Sequence, residues 1–553
     1  MKKMMKRIGA VLLAVAMMAA VSVTAWAAGH SSITINNAVA GHTYTAYQIL
    51  SGNYSEGTLS NVDWGNGISA TGQSALETLY NVSGAPAVAG AIAEDSATDP
   101  ARKVAEAIGT SVVAANGKTG SFNDGSKQYT ISDLDDGYYI IVDTYTPAEG
   151  ETNVTISRYM VDVAGNAEIN NKAETPTVDK TIVEDGKDVD QNTANIGDEV
   201  NFKITSAVPD MTGYKEYYMD FNDTLSKGLT YKADSLSVSI GGTTLNANAY
   251  TLSVGDYSAT NGTSIVVHLK DMVSRKYEKD AAIVITYTAT VNDKAVIGNA
   301  GNPNTVNLEY SNNPQNSGDG QPDNDNDGVQ GKTPDSTTNT FVTGIELTKL
   351  IKDTDTPLAG AVFNVKGTQI NKVLITGDHY VVAEAGTFYK LTDGTYTDKE
   401  PTTATQSSYA STTTKYSKQA YATTSQQEAA NVNFEVISGA DGKIVINGLK
   451  EGTYTFTEIQ APSGYNLLSE PITVVVESNI ATITSATDFE WSVGSGSSNT
   501  VSVKNGVFVF DVENAKGTEL PSTGGIGTYV FTIAGAAIMA VAAGLLVIRR
   551  KKA

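Results

Sequence analysis

Side chains alternate across a β-strand, so residue parity assigns each one to a face. On that rule several strand-like runs of this chain aim polar or charged groups at their own apolar side. In Ile345-Glu346-Leu347-Thr348-Lys349-Leu350-Ile351-Lys352, Lys349 shares its face with Ile345, Leu347 and Ile351. In Tyr454-Thr455-Phe456-Thr457-Glu458 the carboxylate lies with Tyr454 and Phe456, and in Phe508-Val509-Phe510-Asp511-Val512-Glu513-Asn514 the amide lies with Phe508, Phe510 and Val512. A second set repeats the same three kinds of group. Lys180 lies with Val178 and Ile182, Asp223 with Met219, Phe221 and Leu225, and Asn304 with Val306, Leu308 and Tyr310. One reading of such a set is a hydrogen-bonded buried ion pair, or strand ends that let the groups reach water, because burying charge is costly and pairing is the usual remedy. The other reading is chemical. Desolvation lowers the pKa of an amine and raises that of a carboxylic acid, so both can be neutral at once. A neutral amine held against an amide carbon is a nucleophile in position, and a protonated acid beside it can polarise the carbonyl and shuttle the proton. The product would be a Lys–Asn isopeptide bond formed with loss of ammonia, once per chain and without a cofactor.

The elements that must position these groups are mainly β. Short runs rich in Val, Ile, Thr and Tyr alternate with polar residues and are separated by Gly, Asn and Asp. Helical spacing is confined to residues 73–115, in stretches such as Ala75-Leu76-Glu77-Thr78-Leu79 and Arg102 to Ile108. The expected fold class is therefore mainly β, as three tandem domains with a helical insertion in the first. These span 28–172, 173–318 and 341–519. Between the second and third, the Asn, Asp, Gly, Pro, Ser and Thr that dominate from Asn312 to Thr340 read as a linker or solvated loop, bounded here as 319–340. Residues 396–430, rich in Thr, Ser, Tyr and Gln, read as an exposed insertion. An internal repeat supports a shared plan. Ile131, Leu134, Gly137, Tyr139, Ile141 and Asp143 match Ile446, Leu449, Gly452, Tyr454, Phe456 and Glu458 spacing for spacing, so that two domains share one β-sandwich design.

The two ends place the chain outside the cell. Lys2, Lys3, Lys6 and Arg7 precede an apolar run from Ile8 to Val23 and the small-x-small triplet Ala25-Trp26-Ala27, the pattern of a secretory signal peptide over residues 1–27. At the other end an uncharged run from Gly525 to Ile548 precedes Arg549-Arg550-Lys551-Lys552. At about 1.5 Å per helical residue the segment 526–548 can cross a hydrocarbon core of roughly 30 Å, with the basic cluster holding its end on the cytoplasmic side. With both ends removed the product is the 496 residues from Ala28 to Thr523. Each removed end carries four basic and no acidic residues, which takes the net charge from −22 to −30. Nucleic acid and anionic membrane surfaces would repel such a chain. Although exported, it has no cysteine, so it either needs no covalent staple or uses one of another kind. Only four His, and no clustered His or carboxylate motif, argue against a zinc enzyme.

Leu520-Pro521-Ser522-Thr523-Gly524 followed by that apolar run and basic tail resembles the cell-wall sorting signal of Gram-positive surface proteins over residues 520–553. The resemblance implies that a sortase cuts between Thr523 and Gly524 and passes Thr523 to an amine. Thr348-Lys349, Leu358-Ala359-Gly360-Ala361-Val362-Phe363 and Glu458-Ile459-Gln460-Ala461-Pro462-Ser463-Gly464-Tyr465 resemble the collagen-adhesin B-type domain. The second domain resembles the isopeptide domain of Gram-positive backbone pilins through Val178-Asp179-Lys180, the run from Asp223 to Tyr231, and Asn304 to Tyr310. The opening run from Gly41 to Ile49 is similar to their N-terminal domain. The resemblance implies immunoglobulin-like or collagen-adhesin-type β-sandwiches. It also implies that Lys180 bonds Asn304 with Asp223 as catalyst, and Lys349 bonds Asn514 with Glu458 as catalyst. Asp220 and Asn312 stand as fallbacks. In the first domain Asp143 occupies the place of Glu458 but Ile33-Thr34-Ile35 offers no inward Lys, so no isopeptide bond is expected there.

In pilus-building relatives the acceptor amine is a Lys at the end of the N-terminal domain. Here Glu168-Ile169-Asn170-Asn171-Lys172-Ala173-Glu174-Thr175-Pro176 keeps the Lys and lacks the Tyr-Pro of the usual motif, which leaves Lys172 as the candidate beside the reading of an exposed linker lysine. Asp323-x-Asp325-x-Asp327-Gly328 opens like a calcium loop, but its twelfth position is Pro334, so no metal is expected. The sequence thus points to a backbone pilin that is the substrate of a pilus-specific sortase and not an enzyme, needing no cofactor. Its implied partners are identical subunits, minor pilins, peptidoglycan and host surface ligands. The alternatives are a wall-anchored monomeric adhesin and a minor or basal pilin.

Overall fold

In the computed structural model the described residues are 31–55, 58–96, 100–145, 151–163, 166–171, 175–211, 214–314, 320, 330–367, 370, 372–392, 396–423, 432–498, 500–518 and 532–543. The chain divides into two compact units. One comprises residues 1–342 with 448–450 and 479–490, and the other residues 343–447, 451–478 and 491–553.

The first unit begins with a sheet in which Ser31–Asn36 lies between Gln128–Leu134, antiparallel, and Ala167–Asn170, parallel. A neighbouring sheet is centred on His42–Ser55 and Gly137–Tyr145. The helices, Ala70–Tyr80, Ala85–Glu94 and Pro100–Ile108, occupy the expected stretch and begin three residues before it. Ser69 caps the first by accepting from the Gly72 N–H, and Asn81 ends it in the left-handed region at φ 51°. Their Leu76, Val88, Val104 and Ile108 cover Ile49, Leu50 and Ile140 of the strands, which turns an otherwise half-bare sheet into a closed core.

Later in the same unit a seven-stranded sheet carries Asp179–Glu184, Glu199–Ala207 and Ala282–Val291 as consecutive neighbours. In the last of these Ile283, Ile285, Tyr287, Ala289 and Val291 are buried and every intervening residue is at least partly open to solvent, the clean alternation of a sheet with one covered face. The facing strands are Met219–Leu225, Thr263–Leu269 and Gly298–Ser311, all antiparallel. The stretch read from sequence as a linker is in part β: Gln330–Lys332 pairs with Glu309 to Ser311, and the strand Ser336–Ile351 starts five residues before the expected domain boundary. Its polar composition hid the strand, yet Thr338 and Thr340 are fully buried and Thr337 bonds Thr305 through the hydroxyls at 2.8 Å. β-branched threonine suits a strand as long as its hydroxyl finds a partner.

In the second unit the later half of Ser336–Ile351 runs parallel to Val507–Asn514, with Lys349 opposite Val512. Val362–Gly367 pairs on one side with Val432–Ile437 and on the other with Gly452–Gln460. The repeat noted in the sequence corresponds to one motif used twice. Gln128–Leu134 followed by Gly137–Tyr145, and Lys443–Leu449 followed by Gly452–Gln460, are each two strands joined by a two-residue connection. Residues 402–408 of the insertion are exposed, while Tyr396 stacks on Tyr380 at 4.1 Å. A helix is described over 532–543, and among the described residues no helix is long and apolar enough to cross a membrane. The rest of the expected span 526–548, and the signal peptide 1–27, lie outside the described residues.

Phe456 is fully buried and meets Phe510 edge-on at 5.4 Å. Phe456→Ala should cost about 3–5 kcal/mol through the cavity it leaves. Urea unfolding of the second unit, followed at unchanged m-value, measures this, and a loss below about 1 kcal/mol would show that the ring is not part of a close-packed core.

Candidate functional site

Two buried Lys–carboxylate–Asn clusters occupy the cores on which the sequence placed them. In the first, Lys180 and Tyr287 project from the seven-stranded sheet, while Asp223 and Asn304 project from the strands facing it. Asp223 lies opposite Val306 and Leu225 opposite Asn304 in an antiparallel pair, so Asp223 and Asn304 sit two positions apart on one face. The Lys180 Nζ donates to Asp223 Oδ2 at 2.5 Å and to the Tyr287 hydroxyl at 2.9 Å. That hydroxyl donates to Asp223 Oδ2 at 2.7 Å and accepts from Asn304 Nδ2 at 2.6 Å. Lys180, Asp223, Tyr287 and Asn304 are each at most 2% exposed. The ammonium sits 5.2 Å from the centre of the Phe202 ring and 5.0 Å from that of Tyr287, and the two rings stack. Burial pushes the Lys180 amine below its ordinary value, and the Asp223 carboxylate opposes that shift. Among the described residues Asp223 Oδ1 and Asn304 Oδ1 find no hydrogen-bond partner though buried, a costly arrangement unless a reaction uses it.

The second cluster is built differently. Lys349 and Asn514 belong to neighbouring parallel strands, and Glu458 comes from Gly452–Gln460. Lys349 Nζ donates to Asn514 Oδ1 at 2.6 Å and to the Val512 carbonyl at 3.0 Å. Asn514 Nδ2 donates to Glu458 Oε1 at 2.7 Å, and Glu458 Oε2 accepts the Leu468 N–H at 2.9 Å. The amine and the carboxylate are 4.0 Å apart. The carboxylate therefore holds the amide's leaving nitrogen while the amine lies against its oxygen. Burial lowers the Lys349 amine from 10.5 to about 8, against the opposing pull of Glu458 and then Glu513. Gly442, at φ 72°, accepts the Lys349 N–H, and a Cβ there would stand 2.4 Å from the Lys349 carbonyl.

The remaining candidates are engaged elsewhere. Asp143 is fully buried, as its parity requires, but its carboxylate bonds His42 Nδ1 at 2.9 and 3.0 Å and accepts the Ser157 N–H at 2.9 Å. Asp220, on the opposite face from Asp223, is also buried and bonds His268 Nδ1 and the Tyr218 hydroxyl. The Asn312 carbonyl accepts the Ile156 N–H. Sequence reasoning missed Tyr287, whose inward parity with Ile283 and Ile285 marks it only as core, and His42, whose partner lies 101 residues away. Lys172, Leu520, Pro521, Ser522, Thr523 and Gly524 lie outside the described residues, as does the 323–328 segment. Among the described residues no group of three or more His, Asp or Glu side chains could hold a metal ion.

Residues 196–314, which contain Asp223, Tyr287 and Asn304, match the family described as Gram-positive pilin backbone subunit 2, Cna-B-like domain. Residues 419–489 match the prealbumin-like fold domain SpaA, and residues 512–553 match the LPXTG cell wall anchor motif. Over 401 residues the chain is 29% identical to the trypsin-resistant surface T6 protein of Streptococcus pyogenes serotype M6, covering 69% of this chain and 70% of that protein. The chain is homologous to a Gram-positive backbone pilin. Its fold agrees: the solved T6 backbone pilin of serotype M6 S. pyogenes, described as a modular three-domain structure, superposes with a TM-score of 0.50 at 17% identity, covering 90% of this chain and 100% of that one. The pilin is thus a structural subunit of a cell-wall-anchored surface pilus.

The lowered Lys349 value gives a pH test in a variant whose acceptor amide is removed. In Asn514→Ala the unfolded chain binds more protons at Lys349 than the folded one between about 8 and 10.5, so folding stability rises with pH across that window and loses this slope below it. Urea titrations at pH about 8 and about 9.5 should differ by about 1–2 kcal/mol in Asn514→Ala, and by clearly less once Lys349→Met is added. Equal slopes in the two variants would mean that Lys349 keeps an ordinary amine.

Proposed function

We propose that this pilin is joined head to tail by a pilus-specific sortase through Thr523 to Lys172 of the next subunit. We further propose that Lys180–Asn304 and Lys349–Asn514 isopeptide bonds staple the body of each subunit. The observation that carries the stapling is that two cores each bury a lysine, a carboxylate and an asparagine within hydrogen-bonding reach, directly or through one hydroxyl. As an ion pair alone such a cluster is a poor investment, because desolvation of the two charges cancels much of their attraction. As a reaction site it is well arranged. Burial favours the neutral amine, and the carboxylate can take the amine's proton and return one to the departing nitrogen. Each site acts once, on its own chain, so Asp223 and Glu458 are catalysts only of their own bond. The acceptor role of Lys172 rests on its place between the first domain and the strand Asp179–Glu184, in a run that keeps the pilin lysine and lacks the Tyr-Pro. The partners beyond identical subunits would be minor pilins and, at the base, peptidoglycan.

Intact-mass measurement of the secreted chain should show two ammonia losses relative to the sequence. Lys180→Ala and Glu458→Ala should each remove one of them, and a mass equal to the unmodified sequence would sink the stapling. For polymerisation, wall extracts from cells carrying the cognate sortase should give a high-mass ladder on immunoblot that collapses to a single band in Lys172→Ala. A persisting ladder would move the acceptor to another lysine.

A further inference from the structure

The two clusters differ in what separates the carboxylate from the leaving nitrogen. Glu458 Oε1 contacts Asn514 Nδ2 directly at 2.7 Å. Asp223 is one methylene shorter, and between its Oδ2 and Asn304 Nδ2 stands the Tyr287 hydroxyl, 2.7 Å from the one and 2.6 Å from the other. The same oxygen is 2.9 Å from Lys180 Nζ, so it touches the attacking nitrogen, the acid and the departing nitrogen at once. We propose that Tyr287 is a catalytic residue of the Lys180–Asn304 bond, relaying the proton from Asp223 to the leaving amide nitrogen of Asn304. The inference rests on the isopeptide reading of this core.

The steps balance as follows. Asp223 takes a proton from the Lys180 ammonium, leaving a neutral amine and a neutral acid. The amine attacks Cγ of Asn304, the carbonyl π pair moves to Oδ1, and a tetrahedral adduct forms with its positive charge on the lysine nitrogen. The Asp223 proton then passes to the Tyr287 oxygen while the Tyr287 proton passes to Nδ2. The Cγ–Nδ2 bond breaks as the carbonyl reforms, ammonia departs, and the surplus proton on the new amide nitrogen returns to Asp223. Tyr287 ends as it began. Its burial supports a relay over a base, because desolvation holds the phenol well above its ordinary value and so keeps the proton on the oxygen. The stacked Phe202 ring and the 2% exposure of Tyr287 leave the hydroxyl as the group that spans this gap.

Tyr287→Phe keeps the ring and removes the relay. In the full chain, sampled over time after a pulse of synthesis and digested, the Lys180–Asn304 cross-linked peptide should form about 100-fold more slowly. The Lys349–Asn514 peptide, which has no such hydroxyl, should form at its usual rate. Adding Asp223→Glu should restore the bond in the Tyr287→Phe background, because the longer acid can reach Nδ2 as Glu458 does. A Tyr287→Phe chain that cross-links at the wild-type rate, or a slow one that Asp223→Glu does not rescue, overturns the relay. A wild-type chain with no Lys180–Asn304 peptide at all would instead overturn the isopeptide reading.

Discussion

The constraint on which this pilin depends is the burial of an amine between apolar strands. An ammonium taken out of water costs several kcal/mol even after its surroundings relax, and a single carboxylate seldom returns all of it. Lys180 and Lys349 are nonetheless at most 1% exposed, among aromatic and aliphatic side chains. Their carboxylates, Asp223 and Glu458, are as deeply placed. Chemistry that consumes the charge relieves the cost. The proposed conversion to an amide would leave a neutral group that needs only hydrogen bonds, and would turn a liability of the folded core into a covalent tie through it. An amide is also indifferent to reductants, which suits an exported chain that has no cysteine.

The places of Lys180, Asn304, Lys349 and Asn514 in the chain would give the proposed bonds a mechanical meaning. On the proposed linkage, tension enters a subunit at Lys172 and leaves at Thr523. It runs a short way to Lys180, crosses to Asn304, continues to Lys349, crosses to Asn514, and exits nine residues later. Residues 181–303 and 350–513 are bypassed, so their hydrogen-bonded ladders are spared the pull. In the second unit the strands that carry Lys349 and Asn514 are parallel neighbours, with Lys349 opposite Val512. Without the bond, force along that pair would shear the ladder between Ile345 and Asn514. With it, one covalent crossing would take the force.

Strand parity made much of this legible. An inward Lys, Asp, Glu or Asn breaks an apolar alternation and is conspicuous for that reason, so Lys180, Asp223, Asn304, Lys349, Glu458 and Asn514 could be placed in cores from the sequence alone. Tyr287 could not be singled out, because a tyrosine among Ile283, Ile285 and Ala289 breaks no pattern and its hydroxyl becomes informative only when the facing sheet is in place. His42 was hidden for a related reason. It lies at the edge of a strand, and only antiparallel pairing of His42 with Tyr145 and Tyr44 with Asp143 brings it to the carboxylate. The strand through Thr338 and Thr340 was taken for linker because composition registers the polarity of threonine and not the partners its hydroxyls find.

The domain whose opening strand offers no inward lysine fits the same path of force. Asp143 holds the position of Glu458 in the repeated pair of strands and is just as buried, but its partners are His42 and a backbone N–H, neither of which is an amine that can form a lasting amide. Such a core can be kept neutral or paired without reacting, at the cost of forgoing a staple. That cost is small if the subunit is pulled from Lys172, because residues 28–171 then hang beside the line of tension. Stapled cores would be required only where the chain between acceptor and sorting motif passes through them, and the two clusters that bring lysine to asparagine lie on that stretch. The pairing of Asp143 with a histidine and not a lysine, and the proposed position of the acceptor lysine after that domain, are therefore consistent with each other. An acceptor before residue 31 would draw tension through the His42–Asp143 core, where nothing but hydrogen bonds could resist it.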